Sequence, residues 1–527
     1  YGADAAGGVI QIITKKGRRG AGVQWAFGAE VGESEWTRYI GNPKNYWLCQ
    51  AADIRDPVSW PGCTGMDSLA SPDTRLLLHD PLREDVLDAP ADLAGEPVIR
   101  VGKTHRYDLS ARGGGDFFNY YLSFDRNSEE GVYYNNFDRR TGGRANFEFT
   151  PSEKVDVALS FGYARTHTRQ PWSDNSSNGV LRNAFRGRAK ASADQWKPGW
   201  RGFSPELSNQ YDQQIRAERT TIGLSTTYRP FSWFQNRLTL GLDKQDRKNT
   251  QFYPIDTTGL EPFGATNATG TIGHIIPITH VWTVDYAGTV NFNIKPDLSS
   301  AFSAGMQLNA RQRRTTEAFG EGLVASQLNL VGAAAVTRAD EDFSEQTSLG
   351  FYLQEQVGWR ERLYVTGAVR IDDNSAFGSD FSLVVYPKAS VSWVISEERF
   401  FNLPLVDQLK LRFAWGQAGN APAPFTADRT FRPEVTTIND ENVNQLTPSE
   451  FGNPNLKAET GSEIETGFDA SLLGDRLGFE FTYYNKQTKD ALIELPDPPS
   501  SGFTGDHLEN IGQLSNTGVE VLLSASP

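Results

Sequence analysis

The sequence predicts an all-β fold, a transmembrane antiparallel β-barrel, and three observations lead to this class. Apolar and polar residues alternate along many segments, as in strands with one apolar and one wet face. The connections between these segments alternate between short and long. Aromatic residues make up 12% of the 527 residues, whereas Met and Cys number only two each. A mean hydropathy of −0.48 fits such a barrel, because only every second strand residue faces lipid.

The alternating segments are clearest from residue 104 onward. We count about sixteen of them, each roughly 9 to 14 residues long, which is the length of a tilted membrane strand. Their second face carries polar or charged residues, so we expect it to meet water. The apolar faces hold Phe118, Tyr120, Leu122 and Phe124; Val155, Val157, Leu159, Phe161 and Tyr163; Leu238, Leu240 and Leu242; Trp282, Val284, Tyr286, Val290, Phe292 and Ile294; Leu409, Leu411, Phe413 and Trp415; Ile464, Phe468 and Leu472.

The connections support the barrel because their lengths alternate. Short turns on one side and long loops on the other are typical of outer-membrane barrels, whereas sandwiches and propellers have no reason to keep this order. Aromatic pairs near predicted turns, such as Tyr133-Tyr134 and Trp233-Phe234, suit the headgroup layer. Short links are predicted at 113–116, 150–154, 295–298, 359–362 and 473–476, and long ones at 29–103, 167–215, 248–280, 311–345 and 417–460.

Two distant segments carry a family resemblance. The first, YGADAAGGVIQIITKKG at 1–17, reads as a tight turn leading into a short apolar strand with a basic exit. It resembles the end of the plug domain of TonB-dependent outer-membrane receptors, and its Lys-Lys-Gly ending is most similar to the SusC/RagA branch. The second, GNPNLKAE at 452–459 followed by EIETGF and YYNK, resembles a block in the C-terminal half of their barrel. We take the resemblance to cover the whole chain.

The resemblance implies a domain organisation. Residues 1–17 would be the C-terminal end of a plug domain, and 18–527 a transmembrane barrel that stops before its last strands. The family expectation is 22 strands, of which about sixteen would be present here, so we expect the chain to be a fragment. The residues that would mark the plug end are Tyr1, Gly2, Gly7, Gly8, Lys15, Lys16 and Gly17.

The resemblance also implies a function, namely TonB-dependent active import of an oligosaccharide or peptide across the bacterial outer membrane. Substrate would bind at extracellular loops, and the plug would gate the path. The implied partners are the TonB–ExbB–ExbD complex, reached through an N-terminal TonB box that this sequence lacks, a SusD-like surface lipoprotein, and outer-membrane lipid and lipopolysaccharide. A siderophore or cobalamin receptor of the same superfamily is the alternative. A passive porin is the alternative from another class, although it would need neither a plug nor such large loops.

Other chemistry is not indicated. The sequence has no nucleophile elbow, zinc-protease motif or P-loop, so we expect no enzyme activity. We expect no cofactor and no metal site, because the six histidines are scattered without ligand spacing. A net charge of −14 argues against nucleic acid as a partner.

The first long loop holds both cysteines, Cys49 and Cys63, among tryptophan, proline and glycine residues. An even cysteine count in an exported protein favours a disulfide between them. Two unpaired thiols are the alternative.

The 167–215 loop holds the candidate substrate residues Trp172, Trp196, Trp200, Tyr211 and Arg186. Aromatic faces stack on sugar rings, and arginine clamps carboxylate or phosphate by paired donors. The competing interpretation is that these rings form a small core of the loop itself.

Overall fold

The computed structural model describes most of the predicted barrel. It covers residues 14–37, 45–48, 75–79, 81–83, 85–88, 91–186, 200, 203–256, 267–378, 383–503 and 505–526. Tyr1, Gly2, Gly7, Gly8, Cys49, Cys63 and Trp196 lie outside these residues, so the predictions for them and for the 1–17 and 18–527 boundaries stay predictions.

Strands dominate the described chain. In chain order they are β1 (Gln24–Ser34), β2 (Asn45–Leu48), β3 (Arg75–His79), β4 (Gly102–Gly114), β5 (Phe118–Glu130), β6 (Phe137–Ser152), β7 (Val155–Gln170), β8 (Asp212–Phe231), β9 (Phe234–Tyr253), β10 (Thr271–Lys295), β11 (Leu298–Leu323), β12 (Ala334–Trp359), β13 (Leu363–Asn374), β14 (Val384–Val394), β15 (Val406–Asn420), β16 (Phe431–Ile438), β17 (Glu441–Pro448), β18 (Glu459–Leu472), β19 (Leu477–Pro496) and β20 (Asp506–Ala525). The described helices are α1 (Val180–Arg186), α2 (Pro205–Gln210) and the 3₁₀ turns Val331–Ala333, Ile395–Glu397 and Pro499–Ser501.

Sixteen of these strands form one antiparallel sheet, in which each strand pairs with the sheet strand that precedes it in the chain. The order is β1-β4-β5-β6-β7-β8-β9-β10-β11-β12-β13-β14-β15-β18-β19-β20. The pairs β2–β3 and β16–β17 are separate hairpins within long connections. The predicted all-β class and the count of about sixteen strands are confirmed.

The two faces of the sheet follow the predicted alternation. In β9, Leu238 and Leu240 are 40% and 39% exposed on one face, whereas Thr239 and Asp243 lie on the other. In-register neighbours continue the apolar face, since Leu240 lies opposite Leu224 of β8 and Val284 of β10. A soluble protein would bury such a surface, so the apolar face is the outer wall, toward lipid, and the polar face is the inner wall.

The predicted strand length of roughly 9 to 14 residues is wrong for most of the sheet, since β6 and β7 have 16 residues and β8, β9, β19 and β20 have 20. Strands β10, β11 and β12 have 25, 26 and 26 residues, far more than a membrane needs. Consequently, most of the predicted 311–345 loop is strand, and only residues 324–333 connect β11 to β12. Beyond the membrane both faces of a sheet meet water, so the alternation that revealed the lower half disappears there.

The predicted alternation of loop lengths holds except at the eleven-residue β14–β15 link, 395–405, and the six-residue β5–β6 link, 131–136. The shortest links, of two to four residues, all lie at one end of the sheet, which is the periplasmic end by the rule for outer-membrane barrels. Two of them use left-handed backbone: Arg360 and Glu361 have φ of 50° and 56°, and the 473–475 turn has φ of 61°, 68° and 63°. The longest connections, 35–101, 171–211 and 421–458, lie at the other, extracellular end. Among the described residues, no helix is long and apolar enough to cross a membrane.

Candidate functional site

The N-terminal tail lies against the inner wall, near its periplasmic end. The Asn146 side-chain amide donates to the Lys15 carbonyl oxygen at 2.9 Å and to Thr14 Oγ1 at 3.3 Å, and Lys16 forms an ion pair with Glu148. Gly17 packs so tightly that a Cβ would come within 2.4 Å of the Tyr120 carbonyl oxygen. The three described residues of the predicted plug end, Lys15, Lys16 and Gly17, thus line one patch inside the sheet.

A second feature of the inner wall is a polar cavity of about 230 Å³ on β12–β19. Lys410 and Arg412 line it, and they form ion pairs with Asp469 at 2.8 Å and 2.7 Å. Arg412 also donates to the Thr482 hydroxyl at 3.1 Å. The wall therefore presents hydrogen-bonding groups and balanced charge to whatever occupies the interior.

At the extracellular end, several long connections pack into a small hydrophobic core. Trp200 is fully buried in it, and its indole Nε1 donates to Asp85 Oδ2 at 2.7 Å. Tyr133 is 5% exposed and donates to Asp174 at 3.0 Å. Burial first, and the Asp174 charge second, raise the pKa of Tyr133 far above its usual value. We call this the loop core, and its other buried members are Leu82, Leu87, Val98, Ile99, Val180 and Ala184.

An aromatic stack adjoins the strand ends below this layer. The rings of Trp172 and Tyr211 lie parallel with centroids 4.0 Å apart, and Tyr253 packs 5.4 Å from Tyr211. Tyr211 is 1% exposed, and burial raises its pKa strongly. The indole N–H of Trp172 is buried without a hydrogen-bond partner in the described part of the chain.

The predicted substrate residues therefore separate into different environments. Trp172 and Tyr211 share the stack, Trp200 belongs to the loop core, and Arg186 lies apart and exposed at the end of α1. In this conformation the rings of Trp200 and Tyr211 have almost no surface for a ligand, and they act as structural members of the loops. Tyr133 was predicted for the interfacial girdle, and its burial in the loop core corrects that prediction.

Arg186 borders an open recess of about 500 Å³ that is also lined by Asp174, Arg182 and Phe185. Phe185 is 44% exposed, and Arg182 donates to the Asn175 carbonyl oxygen at 3.0 Å. The sequence reasoning missed the Trp200 partner Asp85 and the stack member Tyr253. No local signal marks either residue, because each meets its partner only through a distant loop. Within the described ranges, no group of three or more His, Cys, Asp or Glu residues could hold a metal ion.

Comparisons with known proteins agree with this architecture. A family model described as TonB dependent receptor-like, beta-barrel, matches residues 98–526. TonB-dependent receptor P26 of Formosa agariphila is 24% identical over 441 residues, covering 80% of this chain and 43% of that protein. TonB-dependent receptor SusC of Bacteroides thetaiotaomicron is 24% identical over 571 residues, covering 100% of this chain and 53% of that protein. The chain thus spans about half the length of the curated relatives it matches.

Solved structures extend the likeness to the whole fold. The RagAB peptide importer in its closed-closed state superposes with a TM-score of 0.79 at 20% identity, covering 100% of this chain and 61% of that chain. The ferric citrate transporter FecA in its unliganded form superposes with a TM-score of 0.51 at 12% identity, covering 80% of this chain and 53% of that chain. The fold thus follows RagAB more fully than FecA, and the resemblance to the SusC/RagA branch is confirmed. The chain belongs to the TonB-dependent receptor-like β-barrel family of the outer membrane.

Proposed function

We propose that the full-length receptor actively imports an oligomeric nutrient, an oligosaccharide or an oligopeptide, across the outer membrane. Its energy would come from the TonB–ExbB–ExbD complex, through a TonB box N-terminal to this sequence. The observation that carries the proposal is the tail on the inner wall. It is held there by polar contacts, including the Lys16–Glu148 pair and a 4.0 Å pair of Arg19 with Asp156. Such exposed pairs contribute little net free energy, so a pulled plug could leave them.

The inner wall supports hydrated cargo. Its charges are paired on the wall itself, as in the cluster around Asp469, so a neutral or mixed cargo would meet hydrogen-bonding groups without a strong single-sign field. We propose no covalent step and no enzyme activity. Transport would depend on the difference between the affinity of the receptor for cargo before the plug is remodelled and its affinity afterwards.

We propose the recess beside Arg186 as the first contact for cargo. The Arg186 side chain is exposed and makes no hydrogen bond or ion pair within the described part of the chain. Arginine can bind a carboxylate or phosphate through two parallel donors, and the exposed ring of Phe185 beside it can stack on a sugar or peptide group. Trp172 could contact cargo only after a rearrangement of the loops that exposes its buried indole N–H.

A SusD-like surface lipoprotein is the proposed partner on the outside. The likeness to SusC and to the RagAB peptide importer supports it. A siderophore or cobalamin receptor is the weaker proposal, since FecA superposes over less of the chain and with a lower score. A passive porin is weaker still, because the tail occupies part of the inner wall.

The test uses the full-length receptor in its own outer membrane. We expect a stoichiometric lipoprotein to co-purify in mild detergent. We also expect uptake of labelled oligosaccharides or oligopeptides to be lost both when the receptor gene is deleted and when its TonB box is removed. Uptake that persists without the TonB box would contradict active import. A receptor that purifies alone in several detergents would contradict the lipoprotein partner.

For the recess, Arg186→Gln is expected to weaken cargo binding about 10-fold, which corresponds to the loss of one charge-assisted bond. Arg432→Gln is the matched control, because Arg432 is an exposed arginine on β16, in another extracellular segment. Equal binding by both variants would remove the recess from the proposal without affecting the proposed import.

A further inference from the structure

Three arginines of the inner wall form no ion pair within the described part of the chain. They are Arg247 of β9 and Arg311 and Arg313 of β11, and we call them the arginine cluster. Other arginines of the same wall are paired, as in Arg219–Asp243 and Arg338–Glu321. The in-register neighbours of the cluster are uncharged, namely Val281 and Gln346 for Arg311, Thr279 and Ser344 for Arg313, and Ala217 for Arg247.

The arginine cluster faces the interior of the barrel. Thr283 of β10 donates to the Asn309 side chain of β11 at 3.0 Å and pairs in register with Gly241 of β9, two residues from the inner-wall residue Thr239. The cluster residues of β11 lie two and four residues beyond Asn309, and the cluster residue of β9 lies six beyond Gly241. Residues an even number apart on a strand share a face. The three guanidinium groups therefore point toward the path of the cargo.

The level of the arginine cluster is the extracellular mouth of the membrane part. Arg311 lies thirteen residues past Leu298, the first residue of β11 after the periplasmic turn. At about 3.3 Å per residue and a tilt of about 40°, this is roughly 33 Å. Because the hydrocarbon core is about 30 Å thick, cargo would meet the cluster as it enters, far from the tail at the periplasmic end.

Carboxylates face the same space farther out. Glu317 of β11 lies directly opposite Asp340 of β12, and Asp342 lies opposite Thr315. Like charges directly opposite each other destabilise a sheet, so a cation bound there would stabilise the Glu317–Asp340 pair. Glu317 is four residues beyond Arg313, which corresponds to about 13 Å along the strand. The inner wall thus presents positive charge at the mouth and negative charge about 13 Å farther out.

We propose that the arginine cluster binds the terminal carboxylate of an oligopeptide cargo, whose amino terminus lies beside Glu317 and Asp340. This inference rests on the proposed import and names its cargo. Arginine offers a carboxylate two parallel donors, and the hydroxyl groups of Thr279 and Ser344 flank Arg313.

The spacing and the signs of the charges favour a peptide over other oligomers. An extended peptide rises about 3.3 Å per residue, so about four residues span the two charged regions. An acidic oligosaccharide has a carboxylate for the arginines but no amine for Glu317 and Asp340. A polyanion would be repelled by the outer carboxylates.

The test offers tetrapeptide libraries to the purified full-length receptor and measures the retained peptides by mass spectrometry. The libraries have mixed, uncharged side chains and differ only in their ends: both free, the carboxylate amidated, or the amine acetylated. At about tenfold for each lost charge-assisted bond, the double variant Arg311→Gln, Arg313→Gln is expected to retain the free library about 100-fold less than the parent receptor. Both proteins should retain the amidated library equally, because it has no carboxylate to lose.

Two further variants separate the ends of the peptide. Glu317→Gln combined with Asp340→Asn should lower retention of the free library about fivefold and leave the acetylated library unchanged. Arg314→Gln is the matched control, since Arg314 is next to Arg313 but lies on the outer face, paired with Glu341 at 3.4 Å. It should retain every library as the parent does.

Three results would overturn the proposal: unchanged retention of the free library by the double variant, equal retention of the free and amidated libraries by the parent, or no retention of either. Binding of an oligogalacturonate that the double variant loses would assign the cluster to acidic oligosaccharides and would overturn it too. The proposed import is tested separately by TonB-dependent uptake of a labelled oligosaccharide, so its failure and that of the peptide site are distinguishable.

Discussion

Leu240→Arg is the substitution that tests most directly whether the apolar face meets lipid. Leu240 is six residues past Phe234, the first residue of β9 after the periplasmic turn. At about 3.3 Å per residue and a tilt of about 40°, it lies roughly 15 Å into the membrane. Because the hydrocarbon core is about 30 Å thick, this depth is the midplane.

An arginine at the lipid-facing midplane of a barrel destabilises it by about 2–4 kcal/mol. Thr239→Arg is the control, because Thr239 is the preceding residue, points to the inner wall and bonds Ser225 at 3.1 Å. Removing that hydroxyl pair should cost about 1 kcal/mol, and the arginine itself would meet water. Leu238→Arg, nearer the periplasmic surface, should fall between the two.

The assay is urea unfolding of the full-length receptor in lipid vesicles, with the folded fraction read from its mobility in unheated electrophoresis. The midpoint for Leu240→Arg should drop clearly below that for Thr239→Arg, with an unchanged slope. Equal midpoints for the two variants would refute the assignment of the faces. If both variants fail to insert, Leu238→Arg is measured in their place, because its smaller penalty should permit folding.

The loops offer two further predictions. Trp200→Phe should destabilise the loop core by about 1.5–3 kcal/mol more than Trp172→Phe destabilises the stack. The reason is that only Trp200 loses a hydrogen bond to a carboxylate, that of Asp85. Hydrogen exchange across both loops measures the difference, and equal protection in the two variants would contradict the prediction. Burial raises the pKa of Tyr133 and Tyr211, so the stability of the loops should stay constant below about pH 10, where an unfolded tyrosine ionises, and fall above it. The Phe double variant at these positions should remove this alkaline loss, and a loss that persists would assign it to other groups.

Much of the membrane part of this protein follows from its sequence. In β15, Leu411 and Phe413 alternate with Lys410 and Arg412, and this period of two determines which face meets lipid. The alternation of turn and loop lengths likewise determines which end is periplasmic. Both signals are local, because one membrane environment acts on every strand in the same way.

The extracellular layer was decided by tertiary structure. Above the membrane, β11 and β12 continue with water on both faces, so no alternation remains to mark them as strands. Whether Trp200 packs in a core or awaits a ligand depends on Asp85, a residue 115 positions earlier, and no sequence period encodes such a contact. The sequence by itself therefore determined the faces, the turns and the family of this barrel. The packing of distant loops against one another decided which aromatic residues are buried.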